Sequence, residues 1–149
     1  MEQTKPTQLT QRQTDILLLL YRFRFLTRPQ IQKLLHHKHH RQVIQWLNEL
    51  TEHNYVRKYY DRKSAVVPAM YSLGKSSRTV LKKVGKQASQ LKRIQWEENY
   101  SKAFREKCTQ IADLFLLLTD QAGGALRFWT KIDLHDIENL LEPAPDAYF

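Results

Sequence analysis

Residues 41–60 read R-Q-V-I-Q-W-L-N-E-L-T-E-H-N-Y-V-R-K-Y-Y, and the period of their apolar residues changes once along the way. Val43, Trp46, Leu47 and Leu50 recur at helical spacing and make one apolar stripe. Arg41, Gln42, Gln45, Asn48 and Glu49 are left on the opposite face. Asn54 supplies a stop, because Asn tolerates the left-handed conformation better than most residues. A Tyr/Val strand begins directly after it.

Working outward, Thr10 and Gln13 have the spacing of a capping box, in which side chain and backbone satisfy each other's free donors. Ile16, Leu19, Leu20 and Phe23 then face one way. Thr27 and Gln30 repeat the device, with Pro29 in the first turn where its missing N–H costs little. Ile31, Leu34 and Leu35 give this second helix its buried face, and residues 25–27 read as the short turn before it. Downstream, a ribbon is expected to run over residues 55–61 and return over 67–73, with Pro68 at its edge. Tyr71 and Leu73 alternate with Ser72, as on a sheet with one face on the core. Residues 74–77 open a fourth helix whose apolar side is Val80, Leu81 and Val84. Three helices, a two-stranded ribbon and a helix over residues 8–84 form the layout of a winged helix-turn-helix domain. The fold class is α+β, mainly α.

The chain has 149 residues, 42% hydrophobic and 11% aromatic, which is the composition of a folded protein and not of a disordered basic tail. Its one cysteine, Cys108, excludes an internal disulfide and a cysteine-rich zinc finger, and its place on an apolar stripe makes it a core residue. The longest apolar run, residues 16–20, is far too short to cross a bilayer. The opening M-E-Q-T-K-P-T-Q lacks the layout of a signal peptide, so a soluble cytoplasmic protein is expected. Charge is divided unevenly. Residues 1–94 carry 19 Lys/Arg against 5 Asp/Glu, a net of +14, whereas residues 95–149 carry 5 against 10, a net of −5. A basic excess confined to one module is the footprint of a polyanion, because each neutralised phosphate releases counterions. Double-stranded DNA is the expected partner.

On that reading the third helix enters the major groove. Gln42, Gln45 and Asn48 are candidates for base edges, since side-chain amides can bind adenine bidentately. Arg41 can read guanine or hold phosphate. Arg57, Lys58, Arg62 and Lys63 on the ribbon, with His39 and His40 before the helix, are candidate phosphate contacts. The loop H-H-K-H-H, residues 36–40, invites a metal reading. Metal ligands normally come from separated elements, however, and no Cys or carboxylate cluster accompanies these histidines. They are read as donors near a helix N-terminus, with no metal and no cofactor. The alternative at every one of these positions is a solvated side chain.

A long helix is expected over residues 94–118, its stripe including Trp96, Tyr100, Phe104, Cys108, Ile111, Phe115 and Leu118, with Ala122-Gly123-Gly124 ending it. A short strand over 126–130, a short helix over 132–141 and an extended tail follow. Residues 94–149 are thus an accessory or dimerisation segment. The stripe needs cover, either from residues 126–149 folding back or from a second copy of the helix. The second arrangement, a homodimer through Trp96, Tyr100, Phe104, Ile111, Phe115 and Leu118, would set two recognition helices on one face of a palindrome.

Three motifs carry a resemblance: T-x-R-Q-x-x-I-L-x-L-L-Y-R-F-R-F-L-T from Thr10, W-L-N-E-L-T-E-H-N-Y-V from Trp46 and P-A-M-Y-S-L-G from Pro68. Together they resemble the replication-relaxation family, and the later R-F-W-T and the Pro145-Asp146 pair fit in order. The resemblance implies a winged-helix protein of plasmids and conjugative elements, acting in replication and DNA relaxation or mobilisation; transcriptional control is the other role open to such a DNA-binding protein. In longer relatives the Pro-Asp pair precedes an acidic pair and a lysine, reminiscent of metal-dependent nucleases. This sequence ends three residues past Asp146, so no catalytic role is carried over. There is no Gly-rich phosphate loop and no nucleophile elbow, and an enzyme is not expected. The rival reading is a protein-interaction adaptor that uses the winged helix as a scaffold.

Overall fold

The two Thr-x-x-Gln pairs form the caps that their spacing predicts, and each glutamine also does a second job. The computed structural model describes residues 9–60, 68–86, 91, 101–122, 128–130 and 147–148. Helix α1 (Gln11–Phe23) opens with the Thr10 hydroxyl accepting from the Gln13 amide at 3.2 Å, while Gln13 Oε1 accepts from the Thr10 N–H at 3.0 Å. A two-residue strand, β1 (Leu26–Thr27), leads into α2 (Arg28–Leu34), where Thr27 and Gln30 repeat the box. Both glutamines are buried. The Gln13 Nε2 donates to Glu49 Oε2 at 2.7 Å, on α3 (His40–Glu52). The Gln30 Nε2 donates to the Thr109 carbonyl at 2.8 Å and to Asp113 Oδ1 at 2.7 Å, on α5 (Lys102–Ala122). A glutamate would complete either cap equally well. It could not donate to a carboxylate.

The ribbon is β2 (Val56–Tyr59) and β3 (Met70–Leu73), followed by α4 (Ser77–Lys83). The central strand is β3, antiparallel to β2 with Val56 opposite Leu73 and to β1 with Leu26 opposite Tyr71. The expected turn at residues 25–27 is thus the third strand of a winged-helix sheet. Strand alternation puts Val56, Lys58, Tyr71 and Leu73 on one face and Arg57, Tyr59 and Ser72 on the other. The first face closes the core with Ile16, Leu17 and Leu20 of α1, Ile31 of α2, Val43, Leu47 and Leu50 of α3, and Leu81 of α4. Leu17, and not Leu19, is the fully buried residue at that turn of α1, and Val84 of the expected α4 stripe is exposed. Burial pushes the Tyr71 phenol above its ordinary pKa, the Arg28 guanidinium opposing in part, so the ring sits neutral in the core.

The second face is covered too. Tyr71, Ser72 and Leu73 are all buried, where a sheet with one core face would leave Ser72 wet. Its cover comes from the start of α5: Phe104 packs edge-on to Phe25 at 6.0 Å, Phe25 meets Tyr59 at 5.6 Å, and the Arg105 guanidinium lies over the Tyr59 ring. Further along α5, Ile111 and Phe115 pack against the core, and Phe115 meets Phe23 at 5.4 Å and Phe128 at 5.2 Å. Cys108 is buried. Phe104, Ile111 and Phe115 therefore have apolar partners inside one chain, and each stays half-buried. Leu118 is half-buried, and Trp96 and Tyr100 lie outside the described residues. Within those residues α5 starts at Lys102, with Ser101 non-helical and its hydroxyl accepting from the Phe104 N–H at 3.3 Å. It runs on to Ala122, the first residue of the Ala-Gly-Gly stop read from the sequence. The expected strand over 126–130 is β4 (Trp129–Thr130), paired antiparallel with β5 (Ala147–Tyr148). Residues 132–141 and the Pro145-Asp146 pair lie outside the described residues.

Where β3 leaves the sheet, Gly74 crosses the turn after α3. Its N–H donates to the Tyr55 carbonyl at 2.9 Å, Ser76 N–H donates to the Asn54 carbonyl at 3.0 Å, and Asn54 takes the left-handed φ of 62° read from the sequence. A Cβ on Gly74 would overlap the Asn54 carbonyl. Gly74→Ala should cost about 1–3 kcal/mol in denaturant unfolding, as overpacking against fixed backbone does. Gln30→Glu is the sharper test. It keeps the cap but removes the donor and sets a carboxylate against Asp113, so it should lose about 1.5–3 kcal/mol at neutral pH. That deficit should shrink on acidification, as the new carboxyl protonates, whereas a variant as stable as the parent at neutral pH would mean the cap alone matters.

Candidate nucleic-acid interface

The core takes Val43, Leu47 and Leu50 from α3, so the helix must present the side chains half a turn away. Arg41, Gln45 and Asn48 are exposed there, as the sequence predicts, and His39 and His40 are exposed just before them. Gln42 is at the edge of this face. It stands four residues before the half-buried Trp46, shares its flank and is itself half-buried. One outward residue went unread: Ile44 is 36% exposed, three residues after Arg41 and four before Asn48. The sequence signal was its absence from the buried stripe.

Two of the outward polar groups are held in place. Gln45 Nε2 donates to Glu49 Oε1 at 3.3 Å, and the other oxygen of the same carboxylate accepts from Gln13. This leaves the Gln45 amide one N–H and its carbonyl oxygen for a ligand. The acidic groups of α3, Glu49 and Glu52, sit in its last two turns, and its first turn has none. His39 is the N-cap residue and makes no side-chain cap, so the first amides of α3 keep their partial positive charge. The loop before it is set by His37, whose Nδ1 accepts from the His39 N–H at 3.1 Å and whose ring lies edge-on to Trp46 at 5.1 Å. His36 takes a left-handed φ of 55° in the same loop. The histidine run is thus partly structural. Among the described residues no group of three His, Cys, Asp or Glu is placed to hold a metal ion.

The ribbon divides its candidates. Arg57 and Lys58 are both exposed, yet they sit on opposite faces of β2. Lys58 shares the face of Val56, against which α3 packs, and Arg57 shares the face of Tyr59, which α5 covers. Arg62 and Lys63 lie outside the described residues. Neither Arg41 nor Lys58 has a carboxylate partner among the described residues. The candidate interface is the exposed face of α3, with Lys58 on the face of β2 against which α3 packs: cationic at the start of the helix, amide-bearing in the middle, acidic only at the far end. No helix among the described residues is long and apolar enough to cross a membrane.

Two solved structures of ZitR from Lactococcus lactis resemble the chain. One, a point mutant, shares 18% identity over 82% of this chain and 81% of that chain, with a TM-score of 0.46. The other, described as a zinc-responsive MarR family member, shares 19% over 82% of each chain, also with a TM-score of 0.46. No curated protein sequence matches. The replication-relaxation family model matches residues 17–149, which takes in α1 from its second turn, the whole helix-turn-helix unit, the ribbon, α5 and the C-terminal strands. On that match the chain belongs to the replication-relaxation family.

Proposed function

We propose that this protein binds double-stranded DNA, with the N-terminal half of α3 in the major groove and the β2–β3 ribbon on the backbone, and that it serves replication, mobilisation or transcriptional control of a plasmid or other mobile element. One observation carries the reading. The face that α3 leaves uncovered among the described residues joins an uncapped helix start, His39, His40 and Arg41 to a row of amide side chains, within a module of net charge +14. Uncapped amides and cations attract phosphate, and amides pair with base edges. Family membership supports the role on mobile elements. The absence of a nucleophile or carboxylate arrangement from the sequence motifs supports a binding protein over an enzyme.

Binding to random duplex DNA, measured by fluorescence anisotropy across a salt series, tests this directly. Affinity should fall steeply with salt, with a slope of about −0.9 for each phosphate neutralised. No binding even at low salt would overturn the reading and favour the adaptor function. A second measurement locates the ribbon. Lys58→Ala should weaken all duplexes alike and lower the magnitude of the slope by about one, and Arg57→Ala, on the α5 side, should leave the slope unchanged. The opposite ranking would mean that the other face of the ribbon meets the DNA.

A further inference from the structure

We infer that Ile44 is a specificity-determining residue that reads the 5-methyl group of a thymine. The inference rests on the DNA-binding reading above and names one contact within it. Ile44 is 36% exposed in the middle of α3, whereas Ile16 and Ile31 are wholly buried. Nothing local requires isoleucine there: it is β-branched and a poorer helix former than the Lys, Glu or Gln that usually occupy wet helical positions. A lone apolar residue on a surface needs no explanation in general. This one stands in the row of Arg41 and Asn48, at helical spacings of three and four, and so belongs to the face offered to the groove.

The chemistry of that groove leaves one target. Along the major-groove edges of the four base pairs the thymine methyl is the one alkyl group; cytosine offers only a C5–H beside its amino donor, and the remaining recognition groups are hydrogen-bond donors and acceptors. An isoleucine side chain has no hydrogen bond to give. Against a guanine, adenine or cytosine edge it would strip water from polar atoms without replacing it. Against thymine it buries a methyl on a methyl. Its neighbours supply the complementary contacts, Arg41 towards guanine or phosphate and the Asn48 and Gln45 amides towards adenine. The stiffness that makes isoleucine a poor helix residue also fixes the position of its methyl groups.

The test uses the full chain and the preferred duplex recovered by selection from a random pool. Each thymine in turn is replaced by deoxyuridine, which lacks only the methyl. One replacement should weaken binding about fourfold, the worth of one buried methyl. Ile44→Ala should bind the thymine and deoxyuridine duplexes equally, Ile44→Val should keep most of the difference, and neither should change the salt slope. Thermal melting of both variants checks that they fold. A steep salt slope with every deoxyuridine replacement neutral would overturn the inference and leave DNA binding standing. A deoxyuridine penalty that survives in Ile44→Ala would assign the methyl contact to another residue. No binding to any duplex at low salt would overturn both.

Discussion

The arrangement depends on two buried glutamine amides, each of which ties a helix start to a distant helix. An amide can accept at one end and donate at the other, and Gln13 and Gln30 use both ends. Gln13 closes the α1 cap and holds the Glu49 carboxylate, which in turn holds Gln45. Gln30 closes the α2 cap and holds the Asp113 carboxylate and the Thr109 carbonyl. Lysine would lack the acceptor and glutamate the donor. The helix-turn-helix unit is thereby anchored on both sides, α3 to α1 and α2 to α5, by groups that carry no charge of their own. Net gains of this kind are about 1.5–3 kcal/mol each when the acceptor is ionised, small beside the core. Their importance is geometric: they fix how α3 is rotated, and so which residues it turns outward.

Much of this was legible in the sequence for simple reasons. Capping boxes are local, four residues long, and Thr10-x-x-Gln13 and Thr27-x-x-Gln30 announced two helix starts to the residue. The stripe on α3 and the left-handed Asn54 are local as well. The remainder depended on contacts far apart along the chain. The partners of Gln30 lie 79 and 83 residues on, beyond any pattern a window can detect. Strand β1 is two residues long and shows no alternation, so Leu26 and Thr27 read as a turn until β3 is seen beside them.

The same limit explains the reading of α5. Periodicity identified a long apolar stripe correctly but could not say what it faces. A second copy and the second face of the sheet are equally good apolar cover, and the sequence does not rank them. Buried Ser72 holds the only hint, because its place in the strand alternation demanded a wet face that the fold does not provide. At the interface, the exposed row of α3 was largely predicted, with Gln42 set at its edge by the flank it shares with Trp46. Ile44 was passed over because an apolar residue outside a stripe looks like noise. The split between Arg57 and Lys58 needed the register, which only the paired strands supply.

The long reach of Gln30 also bears on how the protein is made. Its amide sits in a cap that can form as soon as residues 27–34 have left the ribosome, yet Thr109 and Asp113 emerge about 80 residues later. At ordinary translation speeds of about 5–20 residues per second that interval is roughly 4–16 s, long compared with the formation of a helix. Throughout it the helix-turn-helix unit, with Gln13 already able to reach Glu49, carries the two N–H donors of Gln30 without their acceptors and the bare second face of its sheet. The nascent chain thus passes through a stage in which its interface is assembled but its back is open. Arrival of α5 closes that stage, covering the second face of the sheet before Phe128 and the β4–β5 pair are added.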